Sequence, residues 1–153
     1  MRSLNKGLLL IGLLLASVSF APAGVPDDIV GVWYNQEKDA KIEIYRCGDT
    51  YCGKIVWLQE PLYPEGSKDG IPGTIKLDHN NPDPARRKTP VMGMTIMHGF
   101  AFSGENQWKK GKIYDPKNGK TYSGRITLIS SEKLDLRGYI GISLIGRTAT
   151  WSR

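Results

Sequence analysis

Residues 40–58 read Ala40-Lys41-Ile42-Glu43-Ile44-Tyr45-Arg46-Cys47-Gly48-Asp49-Thr50-Tyr51-Cys52-Gly53-Lys54-Ile55-Val56-Trp57-Leu58. Ile42 and Ile44 alternate with Lys41, Glu43 and Tyr45. That period of two gives a strand one apolar and one polar side. Gly48-Asp49 interrupts the pattern with turn residues, so the stretch predicts a β-hairpin. Cys47 and Cys52 flank its four-residue loop, where they can face each other on one side of the ladder and form a disulfide. The other roles for such a pair are redox thiols or metal ligands. The spacing departs from the two-residue redox motif and no histidine lies near, which disfavours both.

The same alternation recurs on either side of the hairpin. Leu134 and Leu136, for example, oppose Lys133, Asp135 and Arg137. Together with turn residues at 37–39, 48–49, 115–119 and 130–131 it predicts strands near 30–36, 40–47, 51–59, 93–98, 106–114, 120–129, 132–140 and 144–152. Eight strands with mostly hairpin connections predict an all-β fold, a small antiparallel barrel. One connection is different. Residues 60–92 hold six prolines, and a connection that long is either functional or mobile. It would cover one end of the barrel, as a lid over a pocket or as a plug that completes the core. Asp83-Pro84 reads as a cap followed by proline at the first helical position, predicting one helical turn over 84–88.

Arg2 and Lys6 precede the apolar run Leu8 to Leu15, and Ala21-Pro22-Ala23 offers small residues for cleavage. Residues 1–23 therefore read as a signal peptide, leaving residues 24–153 as one domain in a periplasm or outside the cell. The run is broken too early, at Ser17, Ser19 and Pro22, for a membrane span. Losing Arg2 and Lys6, and no acid, lowers the formal charge from +6 to +4. The basic clusters Arg86-Arg87-Lys88 and Lys109-Lys110-Gly111-Lys112 are short and lack interleaved aromatics, so no nucleic-acid partner is expected.

Several motifs occur in order along the chain: Gly31-Val32-Trp33, Cys47-Gly48, Cys52-Gly53-Lys54-Ile55-Val56-Trp57-Leu58, Asp78-His79-Asn80-Asn81-Pro82-Asp83, Ile113-Tyr114-Asp115-Pro116, Gly119-Lys120-Thr121-Tyr122 and Leu136-Arg137-Gly138 through Trp151. In these the chain resembles the bacterial family catalogued as domain of unknown function number 2147. It departs from the family where Ala85, rather than leucine, precedes Arg86-Arg87. The resemblance implies a lipocalin-like barrel in an exported protein, and no particular activity. It also implies that Trp33 packs at the closed end of the barrel beneath a basic side chain of the last strand, the position that Arg147 matches. Otherwise Arg147 is an ordinary outward residue.

Catalytic groups are few. His79 and His98 are the two histidines, and no nucleophile elbow, zinc-protease motif or phosphate-binding glycine loop is present. Asp78, His79 and Asp83 could serve a hydrolase or bind a metal, but polar residues in a proline-rich loop are ordinarily turn and capping groups. His98 reads as a core or pocket-rim residue. No cofactor or metal is expected. Binding of a small, mainly apolar molecule is the favoured function, with Ile44, Trp57, Met94, Phe100, Trp108 and Tyr122 as lining, and Ile55, Ile96 and Phe102 beside them. The competing possibilities are a filled interior, and an envelope interaction protein that binds another protein or a glycan through its outer face.

Overall fold

The computed structural model describes residues 24–142 and 144–153. The expected signal peptide lies outside them. Eight strands form a closed antiparallel barrel in chain order: β1 (Gly31–Tyr34), β2 (Ala40–Cys47), β3 (Thr50–Leu58), β4 (Thr95–Phe102), β5 (Gln107–Asp115), β6 (Lys120–Ser130), β7 (Lys133–Tyr139) and β8 (Gly146–Ser152). Short hairpin connections favour pairing between sequence neighbours, and the long β3–β4 connection keeps the same order. β1 closes on β8 through the pair Tyr34↔Ser152. The Cys47–Cys52 disulfide staples the β2–β3 hairpin.

The two ends of the barrel are built differently. At one end the 3-10 turn Pro26–Ile29 lies across the opening and seats Ile29 in the core, fully buried with Trp33, Trp108 and Phe100. Buried indole N–H groups need acceptors. Trp33 Nε1 donates to the Ile29 carbonyl at 2.9 Å and Trp108 Nε1 to the Pro26 carbonyl at 3.0 Å, so the turn is held by the residues it covers. Small residues opposite the aromatics make the packing possible. A Cβ at Gly111 would lie 2.4 Å from the Phe100 ring, and one at Gly124 2.6 Å from it.

A cation does cover Trp33, but it is Arg153. Its guanidinium stands 4.2 Å from the ring centroid and donates to the carbonyls of Val30, Asp28 and Ser131. Arg147, six residues earlier, lies near the start of β8, in phase with Ala149 and Trp151 and exposed at the rim of the cavity at the other end of the barrel. The expected Trp33–Arg147 pair is thus replaced by Trp33–Arg153. Arg153 follows the strand and can fold back over the closed end, whereas a strand-bound side chain stays at its own level.

Candidate functional site

The β1–β2, β3–β4, β5–β6 and β7–β8 connections gather at the second end, where a cavity of about 1650 Å³ opens to solvent. Its floor is set by strand alternation: Ile42, Ile55, Ile96, Ile113, Leu136 and Trp151 all face it. Tyr122, Tyr114 and Arg147 also line it.

The lining expected from sequence is only partly at this cavity. Tyr122, Ile55 and Ile96 line it. Ile44, Phe100 and Trp108, each at most 1% exposed, fill the closed half instead. Met94 and Phe102 pack against that core away from the cavity. Trp57 is on the outer face, 37% exposed, for a definite reason. Lys41 pairs with Trp57 while Ile42 pairs with Ile55, so Val56 is an extra residue that reverses the alternation. Beyond this bulge Trp57 shares the outer face with Lys41 and packs edge-on against Tyr34, ring centroids 6.1 Å apart. His98 is likewise exposed, opposite Lys112, rather than in the core or at the rim.

The long connection forms one side of the mouth and is tied down by polar contacts. It carries two antiparallel bridges, Leu62↔Ile75 and Leu77↔Pro90, and its Tyr63 is buried. Asp78, 1% exposed, accepts hydrogen bonds from Tyr114 Oη and Asn81 Nδ2, both at 2.6 Å. Burial and the adjoining Asp78 carboxylate raise the Tyr114 hydroxyl well above the ordinary tyrosine range. Asn80 Nδ2 donates to the carbonyls of Pro116 and Lys117 across the mouth. Gly119 sits beneath it at φ +70°, and a Cβ there would lie 2.0 Å from the Asn80 carbonyl oxygen.

These contacts account for the acidic loop residues. Asp83 caps the 3-10 turn Pro84–Arg86 by accepting from the Ala85 N–H at 3.0 Å. His79 turns toward Asp69, 3.4 Å away. Asp78, His79 and Asp83 therefore point to three different partners rather than to one reaction centre. Among the described residues no three His, Cys, Asp or Glu side chains are grouped to hold a metal ion.

Charges around the mouth are mostly paired. Lys117 Nζ lies 3.0 Å from Asp39 and Lys76 Nζ 3.7 Å from Glu60. Burial opposes ionisation of Asp39, but hydrogen bonds from Asn35 and Lys117 and the Lys117 charge outweigh it and hold its carboxyl below the ordinary value. The β7–β8 connection adds an aliphatic tip. Ile140, Ile142, Leu144 and Ile145 are all exposed, Leu144 by 85%. Ile140 and Ile145 also line the mouth.

Sequence reading missed Leu136, Ala149 and Trp151 as lining residues. Their alternation was visible, but which end of each strand faces the opening depends on where the Pro26–Ile29 turn closes the barrel.

A solved structure described as "Protein HP1028 from the human pathogen Helicobacter pylori belongs to the lipocalin family" is similar to this one, with a TM-score of 0.67 and 25% sequence identity over 82% of each chain. No curated protein matches. The model of a bacterial family described as "Uncharacterized protein conserved in bacteria (DUF2147)" matches residues 31–153, and the chain belongs to that family.

Proposed function

We propose that this protein is an exported carrier or sensor of a small, mainly apolar molecule of the bacterial envelope, held in the open half of the barrel. One observation carries the reading: the closed half is packed solid while the open half keeps a cavity with an aliphatic and aromatic floor. Ligand pockets commonly enclose about 300–1000 Å³ with a mainly apolar lining and few polar groups. The floor of this cavity is apolar while charged and polar side chains ring its mouth, and its volume leaves room for such a ligand beneath the long connection. The lipocalin-family neighbour supports ligand binding as the use of this fold. Export is supported by the disulfide, since such bonds persist in oxidising compartments, and by the leader pattern of residues 1–23.

Titration with the neutral apolar dye N-phenyl-1-naphthylamine tests the reading. Saturable binding at one site per chain is expected, and Gly138→Leu should weaken it. Gly138 faces the cavity, and its nearest neighbour to an added Cβ is Tyr122 at 3.7 Å, so a larger side chain enters the cavity without a backbone clash. Absence of saturable binding, or equal binding by a folded Gly138→Leu protein, would contradict it.

A further inference from the structure

Among the described residues, Arg147 is the one arginine lining the cavity. It shares the phase of Trp151 and Ala149 but stands at the exposed rim, where its side chain lines the mouth rather than the floor. Among the described residues its side chain makes no ion pair or hydrogen bond. The acids at the mouth are otherwise engaged. Asp39 and Glu60 face lysines, and Asp69 faces His79. Asp115 accepts from the Lys117 N–H and from Asn118 Nδ2, and Glu37 accepts from Asn35 Nδ2. Lys68, the other cation here without a carboxylate, belongs to the long connection and not to the barrel wall.

Across the ladder from Arg147 lie open space and the Tyr122 side chain. Its ladder partner is Gly138, which has no side chain, and the Tyr122 ring adjoins that gap. The Tyr122 oxygen accepts from Asn118 Nδ2 at 3.1 Å, leaving its own O–H free to donate. A planar guanidinium next to an open gap suits the two oxygens of a carboxylate, which it can bind through parallel hydrogen bonds.

We propose that Arg147 and Tyr122 receive the anionic head of a single-chain amphiphile, a long-chain carboxylate. Its apolar chain runs inward over Ile42, Ile55, Leu136 and Trp151. This rests on the carrier reading above and adds the ligand's polarity and orientation to it.

The test compares hexadecanoic acid with its methyl ester, titrated by calorimetry at pH 7.5 into the wild-type protein, Arg147→Gln and Lys68→Gln. Wild type should bind the acid roughly tenfold more tightly than the ester. Arg147→Gln should remove that preference while keeping ester affinity and the thermal melt unchanged, and Lys68→Gln should keep the preference. Equal wild-type affinity for acid and ester overturns the head-group assignment and leaves the apolar cavity in place. So does an acid-selective loss in Lys68→Gln instead of Arg147→Gln. Failure of both ligands to bind wild type overturns the carrier reading and this assignment with it.

Discussion

Arg153 caps the closed end by lying over Trp33. Stacking a guanidinium on an indole contributes about 0.5–2 kcal/mol, depending on desolvation. Trp33→Ala should cost about 3–5 kcal/mol as a buried truncation, and Arg153→Ala less. Because the guanidinium lies over the indole ring, a double-mutant cycle in urea should show coupling between positions 33 and 153, whereas Arg147→Ala should be additive with Trp33→Ala. Coupling to 147 instead of 153 would contradict the structure. At the other end, Tyr114→Phe leaves the buried Asp78 with one side-chain donor fewer, a loss of about 1–3 kcal/mol near neutral pH. The sign of the pH effect follows from the raised Tyr114 value. Its contribution is fully present below pH 10, the ordinary tyrosine value, and is lost as pH rises through the folded-state value. The difference in stability between wild type and Tyr114→Phe should therefore be flat from pH 6 to 9, and a difference that already collapses in this range would refute the Tyr114–Asp78 contact.

Elements were legible where one residue's chemistry acts locally, and less so where the barrel as a whole decides. Alternation around Ile42 and Ile44 and the turn at Gly48-Asp49 located the β2–β3 hairpin and its disulfide, and Asp83-Pro84 located a capped turn. The bulge at Val56 was invisible, since an extra residue in an apolar run changes no pattern until the partner strand fixes the register. It moved Trp57 to the outer face. The long connection illustrates a local signal of another kind. Gly119 needs both its positive φ and its missing side chain to admit Asn80. Gly119→Ala should thus displace the 78–83 segment and lower the melting temperature, while leaving the distant disulfide hairpin protected in hydrogen exchange. An unchanged melting temperature would contradict that close approach. The aliphatic tip of the β7–β8 connection is the opposite case. Ile142→Ser and Leu144→Ser should change stability by less than about 0.5 kcal/mol each, because both side chains are exposed. A larger loss by chemical denaturation would show that they are covered.

At the scale of the molecule, one barrel is closed and filled at one end and open at the other. The Pro26–Ile29 turn closes one end over Trp33, Phe100 and Trp108, while aliphatic residues together with Trp151 and several tyrosines line the cavity at the other. The barrel could be read from strand count and turn spacing. The division into a solid and a hollow half could not, because both halves use the same apolar alternation and differ in what covers each opening. The four tryptophans sample this division. Trp33 and Trp108 are fully buried in the solid half, Trp57 is on the outer face, and Trp151 alone lines the cavity. The most direct measurement is therefore the quenching of tryptophan emission by a dibrominated long-chain carboxylic acid, whose bromines act only on contact. In a Trp57→Phe background, emission should fall saturably at one ligand per chain, and the further change Trp151→Phe should abolish the fall. Quenching that persists without Trp151, or no saturable quenching at all, would contradict a ligand seated in this cavity.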